Sequence, residues 1–312
     1  MFSILSASHL SRGERQEALQ FLFAAADNSE TRIDLILAAL ESGELDPAGL
    51  LICRDKERYL GVLMVEVLPG NSASLWPICS WPGPQRIVVE DGLLARAMEL
   101  LRERHIKVAQ TLLSPNDEIT GTALVRNGFE RVTQMWRMDC AASDPDLPSI
   151  KVIHFDALGA KDPIPFRDVL VGTFEGSLDF PELNGLRSAD EILAGHMAGA
   201  PDLSRWWLAR INQEAVGLLI LAEAAREGVW EIAYLGIVPE ARHRGLGRAL
   251  VSWSLQQASA AGASALTLLV DRRNRPAIDL YKRFGFRMTE AREVYLCTHL
   301  HLRGQSAERT SD

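Results

Sequence analysis

The chain has 312 residues, with 33 Lys and Arg against 41 Asp and Glu and a formal charge of −8 at pH 7. That balance speaks against a general nucleic-acid binder, which needs excess cations to displace counterions from phosphate. A hydrophobic share of 47% with 24% charged residues excludes wholesale disorder, and the length suits two cores of about 150 residues each.

Cys53, Cys79, Cys140 and Cys297 lie far apart with no Cys-x-x-Cys pair. Neither a disulfide framework nor a metal site is expected, and all four are expected to be reduced. The opening Met-Phe-Ser-Ile-Leu lacks a basic segment followed by an apolar core, and no apolar run approaches about 18 residues. The expectation is a soluble, cytoplasmic protein with neither membrane nor nucleic acid among its partners.

In chain order, residues 2–5 suggest a strand, followed by amphipathic helices near 14–26 and 31–40. Leu50–Cys53 and Tyr59–Val67 form a predicted hairpin across a charged turn. After the Pro- and Gly-interrupted stretch from Trp76 to Pro84, the pattern predicts a helix near 90–104, a strand near 107–113, a helix near 118–127 and strands ending near Met138. The polar, proline-rich run Ala141–Pro148 has the composition of a linker. The pattern then restarts with a strand at 150–155, helices near 166–175 and 189–198, a hairpin from 205–210 and 215–222, and a strand from Val229 to Val238. Gly128-Phe129 recurs 157 residues later as Gly285-Phe286, and the same offset carries Pro82 onto Pro239 and Leu93 onto Leu250. The halves read as tandem copies of one fold.

The second half alone carries Val238-Pro-Glu-Ala-Arg-His-Arg-Gly-Leu-Gly-Arg-Ala-Leu250, a glycine turn opening a helix. Gly245 and Gly247 let the backbone approach an anion, the first-turn N–H groups point at it, and Arg242, His243, Arg244 and Arg248 add positive character. A glycine turn before a solvated surface helix would look similar. Further on comes Ala265–Val270, a strand-like run, and then Asn274-Arg-Pro-Ala-Ile-Asp-Leu-Tyr-Lys-Arg-Phe-Gly-Phe286. The order strand, Arg-x-x-Gly-x-Gly, helix, strand, Asn-x-x-Ala-x-x-Leu-Tyr-x-x-x-Gly-Phe resembles the GNAT superfamily of acyl-CoA-dependent N-acetyltransferases.

That resemblance implies an α/β (α+β) fold: two tandem GNAT folds, similar in arrangement to mycothiol synthase, with a degenerate N-terminal copy. Each would be a mixed, mostly antiparallel sheet flanked by helices and containing a splayed parallel strand pair. The expected boundaries are 1–139, a linker at 140–149, a catalytic domain at 150–302 and a polar tail at 303–312. Carried back by 157, Gly245 falls on Val88 and Gly247 on Glu90. A branched side chain and a negative charge there predict poor anion binding in the first half.

The resemblance also implies acetyl-CoA as co-substrate and a small-molecule amine as acceptor, with direct attack in a ternary complex. A peptide or protein acceptor, or a non-catalytic acyl-CoA sensor or scaffold, are the alternatives. By the same resemblance Ile237 and Val238 would offer backbone hydrogen bonds to the pantetheine arm. Arg242, His243, Arg244, Gly245, Leu246, Gly247 and Arg248 would hold the pyrophosphate, and Asn274 and Ala277 would meet the cofactor. Asn274 also suits a helix N-cap before Arg275-Pro276. Tyr281 would donate to the departing thiolate. Glu231 is the candidate base, acting through water, with Glu223 in reserve. Period-two alternation groups Glu231 with Ala233, Leu235 and Ile237. Glu175, Asp179 and Glu182 lend the 173–187 stretch negative character suited to an ammonium-bearing acceptor, although charged loops are commonly just solvated. His196 is expected to pack rather than react.

Overall fold

The computed structural model describes residues 2–24, 29–56, 58–143, 153–159 and 164–300. Residues 144–149 of the expected linker and the whole of the expected tail lie outside them. In chain order the elements are β1 (Ser3–Ser6), α1 (Arg12–Leu22), α2 (Ser29–Ser42), β2 (Leu50–Asp55), β3 (Arg58–Leu68), β4 (Ser72–Leu75), β5 (Cys79–Ser80), α3 (Arg86–Glu103), β6 (Val108–Leu113), α4 (Glu118–Arg126) and β7 (Glu130–Ala141). There follow β8 (Ile153–Ala157), α5 (Ile164–Phe174), α6 (Ala189–Gly199), β9 (Trp206–Ile211), β10 (Glu214–Glu223), β11 (Val229–Ile237), α7 (Leu246–Ala260), β12 (Ala265–Asp271), α8 (Arg275–Arg283) and β13 (Arg287–Cys297). Mixed sheets flanked by helices are the α/β architecture expected.

The chain forms two compact units, and they are not sequential halves. One comprises Met1–Val132 with Glu293–Asp312, the other Thr133–Arg292. In the first, the order is β1-β2-β3-β4-β6, and β6 pairs with Glu293–Cys297 of β13. Alternation along β2 serves two cores. Leu50 and Ile52 pack with α1 and α2 around Leu19, Leu37 and Met64. Leu51 and Cys53 join Leu93, Leu94, Leu101 and Leu124 from α3 and α4.

In the second unit the order is β7-β12-β11-β10-β9-β8. Leu218 and Ile220 of β10 pack under α5 and α6 with Phe166, Leu170 and Leu193. Leu219 and Leu221 face α7 and α8 with Leu250, Leu255, Ile278 and Tyr281. The repeat is kept in register: Ser72 and Val229 open the parallel pairs β4–β6 and β11–β12, opposite Val108 and Ala265. The last strands are exchanged, however. The 157-residue offset makes β13 the counterpart of β7, yet Met135–Ala141 of β7 pairs with β12 while β13 pairs with β6. Strand pairing therefore runs through Cys140 and Ala141, the start of the stretch expected to be linker.

Candidate active site

The site lies in the second unit, where β11 and β12 part. Their parallel pairing runs from Val229↔Ala265 to Ile232↔Leu268 and stops, although β11 continues to Ile237 and β12 to Asp271. On its other edge β11 stays paired to β10, with Val238 N–H donating to the Val216 carbonyl at 3.1 Å. Hydrogen-bonded and non-hydrogen-bonded pairs alternate along an antiparallel ladder. Leu235 and Ile237, three and one residues before Val238 and so out of phase with it, therefore turn their N–H groups toward the opening. Val238 does not: its N–H is spent on Val216 and its carbonyl accepts from Ala241 N–H at 3.0 Å. The expectation that Val238 offers its backbone to a ligand is corrected, since both groups are used within the protein, and Leu235 is the residue whose N–H faces the opening instead.

At the end of β11 the chain turns into α7. His243 at φ 62° and Gly245 at φ 82° are left-handed, with Gly245 in the N-cap position and no side-chain cap. Arg248 and Ala249 donate back to the Gly245 carbonyl at 3.1 and 3.3 Å. The N–H groups of His243, Arg244, Gly245, Leu246 and Gly247 have no protein acceptor among the described residues. Five successive donors without an acceptor at a helix start are a concavity suited to an anion. Arg244 and Arg248 are exposed beside it and carry no ion pair among the described residues.

The two glycines serve different ends. Gly245 supplies the left-handed turn. At Gly247 a Cβ would stand 2.9 Å from Leu280 Cδ2, so its missing side chain lets α7 close on α8. Arg242, grouped with the phosphate-holding residues above, is occupied inside the protein. Its Nε donates to the Ile237 carbonyl at 3.1 Å, Nη2 to Thr173 at 3.0 Å and Nη1 to Gly176 at 3.4 Å. It ties the end of β11 to the end of α5, and its guanidinium is not a free anion ligand.

In the first unit the corresponding segment has no such turn. Helix α3 begins at Arg86, where the offset from α7 would place its start at residue 89. The extra turn takes up the loop. Val88 is exposed, and Glu90 is buried with its Oε1 held by Ser80 Oγ at 2.7 Å and Arg86 Nε at 2.6 Å. Loss of the anion turn is therefore due to helix extension; Val88 points away instead of blocking the loop.

Glu231 lies opposite Ala222 on β10, and Tyr234 opposite Ile220, with a bulge between that leaves Ala233 unpaired. Directly opposed residues share a face. Ala222 and Ile220 are two apart, so Glu231 shares the α5/α6 face with Tyr234, while Leu235 and Ile237 face α7 and α8. The bulge overturns the period-two grouping of Glu231 with Leu235 and Ile237. The Glu231 carboxyl has no hydrogen bond or ion pair with another described residue. Burial raises its carboxyl pKa, with Arg137 opposing.

Tyr281, 8% exposed, packs on Phe286 with ring centroids 5.7 Å apart. Burial, reinforced by Asp179 and Tyr234, holds its phenol well above the ordinary tyrosine value. Its hydroxyl has no hydrogen-bond partner among the described residues. Tyr234, which sequence reasoning passed over, shares a 2.7 Å hydrogen bond with Thr173 Oγ1, and burial pushes its pKa up to about 12. His196 does pack: its ring meets Tyr234 edge-on at 5.1 Å.

The acids of the 173–187 stretch part company. Asp179 accepts from Asp271 N–H at 3.0 Å and from Asn274 Nδ2 at 2.7 Å. Although the residue has exposed surface, protein around its carboxyl raises its pKa against those two bonds. Glu182 forms a two-pronged ion pair with Arg273 at 2.5 and 2.9 Å, and Arg273 also grips fully buried Asp271. Arg273 first holds the Glu182 carboxyl below its usual range. Glu175 is exposed and meets no partner among the described residues. Asp179 and Glu182 thus tie the loop to the start of α8: Glu182 shares the Arg273 cation with Asp271, while Asp179 is held by neutral amide donors that leave its charge in place. Asn274 caps α8, its Oδ1 accepting from Ala277 N–H at 3.2 Å. Asp271 and Arg273 were missed because nothing local marks them; their partners lie about ninety residues away. Glu223, the reserve acid, pairs with Arg205 at 2.9 Å.

Residues 174–286 match the family described as Acetyltransferase (GNAT) family. A protein named mycothiol acetyltransferase from Arthrobacter sp. (strain FB24) is 24% identical over 198 residues, covering 58% of this chain and 57% of that protein. The chain spans about half the length of several curated relatives it matches, including one from Pseudarthrobacter chlorophenolicus of which 54% is covered. A GCN5-related N-acetyltransferase crystal structure from Sphaerobacter thermophilus superposes with a TM-score of 0.66 at 16% identity, covering 95% of each chain. A tandem GNAT protein from the clavulanic acid biosynthesis pathway gives 0.55 at 13% identity, covering 95% of this chain and 98% of that one. These two likenesses speak to the fold. No helix among the described residues is long and apolar enough to cross a membrane.

Proposed function

Because residues 174–286 belong to the acetyltransferase (GNAT) family, we propose that the chain transfers an acetyl group from acetyl-CoA to the primary amine of a small molecule, by direct attack in a ternary complex. The observation that carries this reading is the run of five unaccepted N–H groups from His243 to Gly247, placed where β11 and β12 part. The donor set fits a pyrophosphate, with Arg244 and Arg248 beside it. Leu235 and Ile237 would direct the arm by their backbone groups. Bound there, acetyl-CoA supplies an activated thioester. Relatives named mycothiol acetyltransferase support a small-molecule acceptor.

Glu231 takes the amine proton through water. Its raised pKa brings a carboxylate nearer to the pH at which a base is both deprotonated and effective. Tyr281 donates a hydrogen bond to the sulfur as negative charge develops there. A phenol whose pKa burial holds above the ordinary tyrosine value is a weaker acid than a thiol, an ordinary cysteine being about 8.5 against about 10 for tyrosine, so the hydroxyl works as a hydrogen-bond donor and remains protonated while the departing thiolate takes its proton from solvent.

The test is calorimetry of CoA with the full chain, followed by a panel of amines with acetyl-CoA and detection of free thiol. One CoA per chain and amine-dependent thiol release are expected. Tight CoA binding without thiol release for any amine would overturn the enzyme reading in favour of an acyl-CoA sensor.

A further inference from the structure

Resting on that reading, we propose that Tyr234 holds the reacting nitrogen of the acceptor. Its phenol oxygen accepts one N–H of the amine while the other proton leaves by way of Glu231, a division that selects primary over secondary amines. Glu231 lies opposite Ala222 and Tyr234 opposite Ile220, so the two are successive residues on one face of β11, their stems about 7 Å apart. Parallel pairing with β12 ends at Ile232, which puts Glu231 at the mouth of the strand opening and partly exposed Tyr234 along its edge. The loop from α5 to α6 spans the opening. It meets β11 where Thr173 bonds Tyr234, and farther along Asp179 accepts from Asp271 N–H of β12 at 3.0 Å. That N–H faces the opening, because the next one, of Arg272, is donated the other way to Gln134 of β7 at 2.9 Å.

Hydrogen-bond direction fixes what the phenol can offer. Thr173 Oγ1 lies 2.6 Å from the Leu170 carbonyl, a group that only accepts, so the single hydroxyl proton of Thr173 is spent there. The 2.7 Å bond between Thr173 and Tyr234 is therefore donated by Tyr234. With its proton committed, Oη presents a lone pair, and donating to Thr173 makes that oxygen a better acceptor. The ring is fixed in place. Phe174 and His196 meet it edge-on at 6.0 and 5.1 Å. A Cβ at Gly236 would stand 2.8 Å from both Thr173 and the Tyr234 ring, so the glycine lets the end of α5 close on the phenol.

In the transfer the amine lone pair forms the C–N bond at the thioester carbonyl, and the nitrogen of a primary amine then carries two hydrogens and a positive charge. One proton passes through water to the Glu231 carboxylate, which later returns it to solvent. The other stays on nitrogen, hydrogen-bonded to Tyr234 Oη, and remains in the amide product. The C–S bond breaks and the thiolate is protonated from solvent. A secondary amine brings one hydrogen to the same point, and it cannot serve both Glu231 and Tyr234.

The experiment measures kcat/KM for amines that wild type acetylates, each paired with its N-methyl derivative, in wild type, Tyr234→Phe and Thr173→Val. Wild type should favour the primary member. Tyr234→Phe keeps the ring and its packing; it should lower kcat/KM for the primary amine by roughly 10–100-fold, as expected for a hydrogen bond from a charged group, and leave the N-methyl amine within about twofold. Thr173→Val frees the phenol proton to turn toward the amine and should also shrink the preference. CoA affinity by calorimetry should be unchanged in Tyr234→Phe. Equal use of both members by wild type, a preference that survives Tyr234→Phe, or a loss shared equally by both members overturns the inference, the last being what a merely structural tyrosine would give. Absence of amine-dependent thiol release in wild type sinks the transfer reading itself, whereas transfer with an unaltered preference sinks only the role of Tyr234.

Discussion

Replacing Arg242 with Met separates a structural arginine from a phosphate ligand. The guanidinium donates to Ile237 and Thr173 at 3.1 and 3.0 Å and more weakly to Gly176 at 3.4 Å. A hydrogen bond from a charged group contributes about 1.5–3 kcal/mol. Two good bonds at a partly solvated site, discounted for water that replaces them, amount to about 2–4 kcal/mol. In a unit of this size each kcal/mol moves the melting temperature by about 2–4 °C, so Arg242→Met should melt roughly 4–16 °C lower. Methionine keeps most of the stem packing, which confines the loss to the guanidinium. The assay is thermal unfolding by circular dichroism, set beside calorimetric CoA affinity below the transition. Affinity should fall by less than about tenfold, through loosening of the turn. An unchanged melting temperature with CoA affinity reduced a hundredfold or more would refute the reasoning and return Arg242 to the pyrophosphate.

Glu231→Gln should lower kcat/KM by roughly 10²–10⁴ at neutral pH, with the loss shrinking at high pH as free amine accumulates; full activity at every pH excludes Glu231 as the base. The wild-type kcat/KM limb should lie above the ordinary glutamate value of about 4.3, because burial raises this carboxyl. The same shift has a stability sign: a folded pKa above the unfolded one helps folding below about pH 4.3, and that help is lost as pH rises through the folded value. Glu231→Gln should therefore melt higher than wild type at pH 8 and near it at pH 4, as scanning calorimetry would show. Tyr281→Phe should lower kcat while leaving the acetyl-CoA dissociation constant nearly unchanged, since the hydroxyl has no partner among the described residues to lose; an unchanged kcat removes it from the mechanism. Gly245→Val, forced to a left-handed φ of 82°, should weaken CoA binding severely, whereas Val88→Gly in the first unit should leave one CoA per chain by calorimetry.

Local features were legible in the residue order because they depend on near neighbours. The Gly245 turn, the Asn274 cap of α8 and the apolar runs of β2 and β10 follow from backbone sterics, a side chain reaching three residues ahead, and burial on both faces. The 157-residue repeat was equally visible, and the parallel pairs keep it in register. Tertiary structure decided the rest. One extra residue at Ala233 turned Glu231 to the other side of the sheet, and a bulge is set by pairing with β10, leaving no local mark in the composition of β11. Asp179 and Glu182 looked unengaged until Asn274, Asp271 and Arg273 were brought to them from the far end of the fold. The exchange of β7 and β13 had the same cause. The two strands are repeat counterparts that could extend either sheet by the same antiparallel hydrogen bonds, so the choice between partners rests on packing summed over residues distant in sequence, which no window along the chain contains.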